Sequence, residues 1–241
     1  MRYAVVSDVH GNLESLERAL AQLAPDDTLA CLGDMVGYGA NPNECVRLLR
    51  ERAKHVVLGN HDLAALDNYG TEFFNDAART AIEWTQTVLD AENRAWLNTL
   101  SYELRFPEFL MVHGAPANYF EYILDKRSAA GAFERTDAPL VFVGHTHIAE
   151  YWVREADGTI GHKHMQHGGE LILEAGRRYI VDVGSVGQPR DLNPEASFVL
   201  YEPAQSRVRW VRYEYPIATV QEKIRAAGLP DYLADRLEAG R

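Results

Sequence analysis

The sequence predicts an α/β fold in which two facing β-sheets are flanked by helices, and two features of the chain carry this prediction. Short apolar runs alternate with helical patterns through the first third of the chain. After residue 147 the pattern changes to short runs typical of β-strands. A short apolar run that ends in Gly or a polar residue is typical of a buried strand. We therefore expect an α/β half packed against a β-rich half.

The predicted strands follow directly from these runs. In the α/β half the apolar runs are residues 3–6, 29–32, 55–58, 109–112 and 140–143. In the β-rich half the predicted strands are residues 149–154, 170–173, 178–183, 196–201 and 207–213. Neither half contains an internal repeat or a clear interdomain linker, so we expect one domain.

Helices are predicted where apolar residues recur at helical spacing. Their ranges are 12–23, 41–53, two helices within 75–100, 217–226 and 230–239. Asn12 is a plausible N-cap of the first helix, and Asn41-Pro42 begins the second. The positions expected to pack against the sheets are Leu13, Leu16, Leu20, Leu23, Cys45, Val46, Leu49, Ile82, Val88, Leu89, Trp96 and Leu97.

Composition sets broad limits on the class of protein. The chain has 241 residues, of which 46% are hydrophobic and 24% charged, as expected for a soluble globular domain with a full core. No apolar stretch approaches the roughly 20 residues that a membrane span needs. The N-terminus shows no signal-peptide pattern. Two cysteines, Cys31 and Cys45, are too few for a disulfide framework, so we expect a reduced, cytoplasmic compartment.

The net charge of −11 bears on possible partners. An acidic protein repels polyanions at long range, so we expect no stable binding to nucleic acid. Bound dications would offset part of this charge locally, and a small phosphorylated ligand remains compatible with it.

Five polar clusters each follow one of the apolar runs of the α/β half. They are Asp8-Val9-His10, Gly33-Asp34, Gly59-Asn60-His61-Asp62, His113-Gly114 and Gly144-His145-Thr146-His147. Ligands of open α/β sheets sit beyond the carboxyl ends of the strands. Five strands that deliver Asp, His and Asn to one edge therefore predict a functional site.

The donor types in these clusters indicate metal binding. Imidazole, carboxylate and amide oxygen without thiolate suit Mn, Fe, Zn, Co or Ni. The candidate ligands are Asp8, His10, Asp34, Asn60, His113, His145 and His147. A catalytic ion usually takes about three protein ligands, so this set is too large for one ion. Two ions need a shared carboxylate, and Asp34 lies in the middle of the set.

In this order the clusters resemble the motifs of the calcineurin-like metallophosphoesterase superfamily, and all five motifs are present. Residues 183–191, Val-Gly-Ser-Val-Gly-Gln-Pro-Arg-Asp, are similar to the bacterial branch related to diadenosine tetraphosphatases and small phosphodiesterases. The resemblance implies a four-layer α-β-β-α sandwich of two facing mixed sheets, with a single metallophosphoesterase domain over residues 1–241.

The resemblance also implies the arrangement of a site with two divalent metal ions. One ion would be held by Asp8, His10, Asp34 and His147, and the other by Asp34, Asn60, His113 and His145. A metal-bridging hydroxide would be the nucleophile. His61 would be catalytic, either by stabilising transition-state charge or by protonating the leaving oxygen, unless it only orients a ligand. Asp62 would hold the turn or orient a histidine.

Other residues leave alternatives open. Arg190 would bind a substrate phosphate, or form a salt bridge within a structural loop. Tyr119, Phe120 and Tyr122 would stack on a nucleobase or pack as a lid. His162, His164 and His167 lie in a Gly-rich segment that predicts an exposed hairpin or loop. We expect solvated histidines there, with a third metal site as the alternative.

These features favour hydrolysis of small phosphomonoesters or phosphodiesters, nucleotides included. A non-catalytic binding scaffold on the same fold is disfavoured because every ligand position and His61 are intact. A phosphoprotein phosphatase is disfavoured because Gly37 stands where members of that branch carry an acidic residue, and no Arg follows. A DNA nuclease lacks support from the acidic charge. The metal, be it Mn, Fe, Zn or Ni, and the oligomeric state do not follow from the sequence.

Overall fold

Two six-stranded sheets form the centre of the fold in a computed structural model that describes residues 1–241. The first sheet has the order β3-β2-β1-β11-β12-β9, and the second has the order β4-β5-β6-β10-β7-β8. The strands are β1 (Arg2–Val6), β2 (Asp27–Cys31), β3 (His55–Val56), β4 (Glu103–Arg105), β5 (Leu110–Val112), β6 (Leu140–Val143), β7 (Ala149–Arg154), β8 (Ile160–His164), β9 (Gly169–Ile172), β10 (Arg178–Val183), β11 (Ala196–Glu202) and β12 (Arg207–Tyr213).

Helices cover the outer faces of both sheets. They are α1 (Leu13–Leu20), α2 (Pro42–Arg52), α3 (Asn60–Asp67), α4 (Asp76–Val88), α5 (Ala91–Leu97), α6 (Lys126–Glu134), α7 (Ile217–Ala226) and α8 (Asp231–Ala239). The helix α6 packs on the second sheet, and the other helices supply the apolar layer on the first. The result is the expected four-layer α-β-β-α sandwich of mixed sheets.

Alternation along the strands builds the core between and outside the sheets. In β1, Val5 points between the sheets, while Ala4 and Val6 pack against the helices. In β6, Phe142 points between the sheets and Val141 packs towards α6. Such strands are buried on both faces, which explains why they appear in the sequence as continuous apolar runs.

The direction of the strands positions the site. In the first sheet β1, β2 and β3 run parallel, and in the second β5, β6 and β10 run parallel. The carboxyl ends of parallel strands meet at one edge of their sheet, so the segments that follow them are neighbours.

The structure departs from the sequence prediction in several elements. The strand β4 and the helices α3 and α6 were not predicted, and β8 lies in the segment for which a hairpin or loop was expected. The first helix ends at Leu20, so Leu23 lies beyond it and packs on the core from the following turn. Val88 was expected to pack against the sheet, and this was wrong: it is 38% exposed at the end of α4. The predicted cap was confirmed, since the Asn12 side chain accepts a hydrogen bond from the Ser15 amide at 3.1 Å.

No helix of this fold combines the length and the apolar character needed to cross a membrane.

The inter-sheet core yields a test of stability. Phe142 is fully buried and contacts Phe109 and, from the opposite sheet, Tyr201, with ring centroids 5.6 and 5.4 Å away. Replacing Phe142 by Ala should lower the free energy of unfolding by about 3–5 kcal/mol, because it removes buried area and leaves a cavity. Urea denaturation measures the change. The matched variant Phe73→Ala removes a ring that is 86% exposed and should leave stability nearly unaltered.

Candidate metal centre

The loops after the parallel strands bring all seven predicted metal ligands together with His61. Asp8 and His10 follow β1, and Asp34 follows β2. Asn60 and His61 begin α3, which follows the bridge at Val57. The other three histidines come from the second sheet, His113 after β5 and the pair His145 and His147 after β6. Both sheets therefore contribute to one site.

Backbone geometry aims these side chains. Five site residues adopt the left-handed conformation, namely Asp8 (φ 54°), His10 (φ 48°), Asp34 (φ 53°), His145 (φ 69°) and His147 (φ 63°). This conformation is uncommon for residues with a Cβ and costs free energy. Backbone hydrogen bonds hold it, since the Asp8 amide donates to the Gly33 carbonyl at 3.1 Å and the His10 amide to the Asp34 carbonyl at 2.9 Å.

A backbone carbonyl fixes the imidazole ring of each of the four histidines among the predicted metal ligands. One ring nitrogen of each histidine lies close to a carbonyl oxygen: His10 Nδ1 to Val36 at 2.9 Å, His113 Nδ1 to Leu32 at 2.9 Å, His145 Nε2 to Phe120 at 3.0 Å, and His147 Nδ1 to Gln188 at 2.6 Å. A carbonyl can only accept, so these nitrogens carry the proton and donate. The other ring nitrogen of each neutral histidine is then a lone pair directed into the site.

The first ligand group consists of Asp8, His10 and His147. His147 Nε2 lies 3.2 Å from His10 Nε2 and 3.2 Å from Asp8 Oδ1, and His10 Nε2 lies 3.8 Å from Asp8 Oδ1. Asp8 Oδ1 is buried and has no hydrogen-bond donor. The other oxygen, Oδ2, accepts from the His145 amide at 3.0 Å, which orients the carboxylate.

The second ligand group consists of Asp34, Asn60, His113 and His145. His113 Nε2 lies 3.0 Å from Asn60 Oδ1, 3.1 Å from His145 Nδ1 and 3.3 Å from Asp34 Oδ2. Asp34 Oδ2 is also 3.7 Å from His10 Nε2, so this one oxygen faces both groups. Its other oxygen, Oδ1, accepts from the His61 amide at 2.8 Å.

The donor set in both groups fits a cation. With the carbonyl-bound nitrogens protonated, the facing atoms are lone pairs of nitrogen and oxygen that cannot hydrogen-bond to one another. A positive charge between them removes this conflict. Without an ion, a proton can supply this charge instead: burial opposes a charge on His113, but the adjacent Asp34 carboxylate outweighs burial and raises the pKa of His113 to about 9. The residues present therefore fit divalent ions, and the Asp34 carboxylate is shared between the groups.

His61 lies beside both groups but differs from the other histidines. Its Nδ1 is buried without a hydrogen-bond partner, and its ring stacks on Phe74 with centroids 4.6 Å apart. Gly37 makes room for it, since a Cβ at that position would lie 2.5 Å from His61 Nδ1. Burial lowers the pKa of His61 to about 4. No carboxylate takes the place of the acidic residue that Gly37 replaces.

Asp62 holds the turn and does not contact the ligand atoms. Its Oδ1 accepts from the amides of Met35 at 2.8 Å and Val36 at 3.2 Å, and its Oδ2 accepts from the Gly59 amide at 3.1 Å. The carboxylate ties the segment after β2 to the start of α3. Of the two roles considered for Asp62, the structure supports the turn.

The segment 183–191 supports the site from behind. The Ser185 hydroxyl donates to the Asp8 carbonyl at 2.8 Å, and the Gly187 amide donates to the same carbonyl at 2.8 Å. The Gln188 carbonyl anchors His147, as described above. This segment therefore positions ligands of the first group.

Arg190 projects from that segment without a carboxylate partner. Its guanidinium donates to Gln188 Oε1 at 2.8 Å and lies over the Tyr38 ring, 5.6 Å from the centroid. No carboxylate lies within salt-bridge distance, so the predicted alternative of a salt bridge in a structural loop is not observed. The Arg190 amide donates to the His147 carbonyl at 3.1 Å, so the residue adjoins the first ligand group.

The aromatic segment after His113 shapes the mouth of the site. Tyr122 stacks on His145 with ring centroids 3.7 Å apart and is nearly half exposed. The Phe120 carbonyl anchors the same histidine. Tyr119 stacks instead on Tyr102, 5.1 Å away. The segment thus packs the wall of the site, and Tyr122 presents its ring to solvent there.

Sequence reasoning missed the carbonyl anchors, which belong to Leu32, Val36, Phe120 and Gln188. A backbone carbonyl leaves no signal in residue type. The segment 183–191 gave the only indirect sign, through its match to the bacterial branch of the superfamily.

Comparison with known proteins gives a consistent family. Residues 1–149 match the model of the calcineurin-like phosphoesterase family. An uncharacterized protein of Methanocaldococcus jannaschii is 36% identical over 246 residues, covering 99% of this chain and 98% of that protein. The crystal structure of a metallophosphoesterase from Sphaerobacter thermophilus superposes with a TM-score of 0.90 at 42% identity, and the match covers 100% of both chains.

A shorter match relates the chain to a nucleotide hydrolase. The symmetrical bis(5'-nucleosyl)-tetraphosphatase of Sodalis glossinidius is 41% identical over 70 residues. This stretch covers 27% of the present chain and 25% of that enzyme, so the similarity is confined to part of each protein.

The contacts of Asp62 yield a test of the turn. Asp62→Asn replaces one carboxylate oxygen by an NH₂ group, which cannot accept from a backbone amide. We expect the free energy of unfolding to fall by about 1–3 kcal/mol, because a buried donor loses its partner. Chemical denaturation measures the loss. Asp67→Asn, at the exposed end of the same helix, is the matched control, and an equal loss in both variants would contradict the assigned role.

Proposed function

The chain belongs to the calcineurin-like phosphoesterase family, and from this premise we propose that it is a hydrolase acting on phosphoester bonds. It hydrolyses small phosphomonoesters or phosphodiesters, nucleotides included, at a site that holds two divalent transition-metal ions. The partial match to a bis(5'-nucleosyl)-tetraphosphatase supports a nucleotide among the substrates.

The observation that carries the proposal is the position of Asp34 Oδ2 between two groups of lone pairs. This oxygen lies 3.3 Å from His113 Nε2 in one group and 3.7 Å from His10 Nε2 in the other. We assign the first ion to Asp8, His10, Asp34 and His147. We assign the second to Asp34, Asn60, His113 and His145. A shared carboxylate is what two ions about 3.5–4 Å apart require.

When bound, two such ions lower the pKa of a water molecule to near neutrality and neutralise the phosphoryl oxygens during in-line displacement. Nitrogen and oxygen donors do not by themselves select among Mn, Fe, Zn and Ni. The chain's own contribution is to fix the donors in advance. Carbonyl hydrogen bonds hold the imidazoles, and backbone amides hold the two carboxylates.

His61 and Arg190 are proposed to act on the phosphoryl group. The His61 ring lies 4.8 Å from that of His10 by centroids, and no protein group partners its Nδ1. It would stabilise transition-state charge or protonate the leaving oxygen. Arg190 would bind a non-bridging oxygen with its forked guanidinium, which lies over the Tyr38 ring, and that ring lies 4.5 Å from those of His10 and His61 by centroids.

Two other functions fit the fold less well. A non-catalytic scaffold would not need His61, and it would not need eight polar groups held in a buried site. A phosphoprotein phosphatase is disfavoured because His61 Nδ1 meets Gly37 instead of an acidic side chain. If no phosphoester is hydrolysed, whichever metal is added, the non-catalytic scaffold becomes the better account.

Metal dependence is the first test of the proposed reaction. Metal-stripped protein should hydrolyse neither p-nitrophenyl phosphate nor bis-p-nitrophenyl phosphate, and turnover should return when Mn²⁺, Fe²⁺, Zn²⁺ or Ni²⁺ is added. Asp34→Asn should lose most of this turnover because the shared ligand has lost its charge. Asp26→Asn, an exposed carboxylate, is the control. Full activity in Asp34→Asn would contradict the shared-carboxylate site, and the ratio of the two substrates separates monoester from diester hydrolysis.

Leaving-group dependence tests the role of His61. His61→Ala should lower kcat by about 10²–10⁴-fold without changing the metal content, if the ring acts on the phosphoryl group. If His61 donates a proton to the leaving oxygen, His61→Ala should lower kcat more with phenyl esters than with p-nitrophenyl esters, since phenolate is the poorer leaving group. An equal loss with both esters indicates charge stabilisation. Unchanged kcat, as expected for the exposed control His167→Ala, would show that His61 has neither role.

A further inference from the structure

A second set of metal-ligating side chains lies outside the phosphoesterase site, on the hairpin formed by β7 and β8. It consists of Glu150 on β7 and of His162 and His164 on β8, and we call it the hairpin cluster. The sequence predicted an exposed hairpin or loop here and favoured solvated histidines over a third metal site. The structure shows the hairpin and places His162 and His164 in its second strand, two residues apart and therefore on the same face. Glu150 is the direct cross-strand partner of His164.

The ligand atoms of the hairpin cluster converge on one carboxylate oxygen. Glu150 Oε2 lies 2.7 Å from His162 Nε2 and 3.1 Å from His164 Nδ1. The three ligand atoms all lie within 4.8 Å of one another. Around a tetrahedral Zn²⁺ with bonds of about 2.0–2.1 Å, neighbouring ligand atoms are roughly 3.3 Å apart. Small side-chain movements therefore suffice to enclose an ion.

The Glu150 carboxylate is buried without a permanent positive charge. Its side chain is only 4% exposed, and its only ion-pair partners are the two histidines. Its other hydrogen bond comes from Trp152 Nε1, 3.3 Å from Oε1. Buried carboxylates are normally paired with a fixed cation or bound to a metal. The only ion-pair partners of this carboxylate are two histidines, and neither carries a permanent charge.

A second buried carboxyl group lies beside Glu150. Asp182 on β10 is the cross-strand neighbour of Glu150 on the side away from His164. Its one side-chain donor is the Thr146 hydroxyl, at 2.7 Å. Two buried carboxyl groups therefore lie side by side here, and no Lys or Arg forms an ion pair with either of them.

We propose that the hairpin cluster binds a third divalent transition-metal ion, of the borderline class represented by Zn²⁺. Two imidazoles and one carboxylate are a common zinc donor set. The His162 ring is oriented in advance, because it stacks on Trp152 with centroids 3.9 Å apart. His164 is 62% exposed, which gives the ion a path from solvent and leaves a further coordination position for water.

The ion would fasten an edge strand. β8 is the last strand of its sheet and pairs only with β7, so its hydrogen bonds open more readily than those of central strands. Coordination across the two strands joins them through side chains as well. This proposal does not depend on the phosphoesterase activity, since none of its ligands belongs to that site.

Counting bound metal tests the proposal. Wild-type protein and His164→Ala are equilibrated with Zn²⁺ at a chelator-buffered free concentration, and bound zinc is measured by elemental analysis. We expect one Zn²⁺ per chain fewer in His164→Ala, and the same deficit in Glu150→Gln. His167→Ala removes an exposed histidine outside the cluster and should keep the wild-type count. Circular dichroism of the metal-free proteins checks that all variants fold alike.

Hydrogen exchange supplies a second readout at the strand itself. Zn²⁺ should slow amide exchange over residues 160–164 in wild-type protein and in His167→Ala, but not in His164→Ala. Equal zinc counts in the wild type and His164→Ala would overturn the proposal. A deficit of the same size in His167→Ala would overturn it too, because binding would then not depend on the cluster.

Discussion

Backbone carbonyls fix the four histidines proposed as metal ligands, and the chemistry proposed for the site depends on this constraint. Each carbonyl accepts a hydrogen bond from one ring nitrogen, so in the neutral ring the opposite nitrogen presents a lone pair. Val36 does this for His10, and Leu32 does it for His113. Because the carbonyls belong to the loops that follow the strands, the sandwich itself sets the orientation of the rings.

The backbone of the site carries strain that the surrounding structure must offset. A left-handed conformation costs a residue with a Cβ about 1–2 kcal/mol. Asp8 and Asp34 both adopt it, and hydrogen bonds join their segments to each other and to residues 183–191. The Gly59 backbone also approaches the Asp34 carboxylate so closely that a Cβ on Gly59 would lie 2.1 Å from Asp34 Oδ1. A bound cation would compensate this strain by pairing with the buried carboxylates.

The predictable parts of the fold are those encoded by local sequence. The buried strands are continuous apolar runs, and the ligand residues directly follow them, so both were predicted. The helix α6 was not predicted from the sequence because its buried face is built mostly of small residues such as Ala129 and Ala132. The strand β4 is three residues long and half exposed, too short to show an alternation.

Features that depend on distant partners could not be predicted. The sequence contains no sign that the Phe120 carbonyl meets His145, because any residue has a carbonyl. The pairing of Glu150 with His162 and His164 depends on the register of β7 and β8, which residue types alone do not specify. The assignment of ligands to two ions, and the role of His61, stay proposals drawn from the resemblance and the geometry.

Electron paramagnetic resonance of the Mn²⁺-loaded protein tests the central claim, that Asp34 bridges two ions. Two Mn²⁺ ions about 3.5–4 Å apart and joined by one carboxylate are magnetically coupled. At two equivalents we expect the multiline spectrum of a coupled pair, and Asp34→Asn should replace it with the six-line signal of isolated Mn²⁺. The hairpin variant His164→Ala should retain the coupled spectrum. A six-line signal alone in the wild-type protein, with two ions bound at the site, would contradict the account.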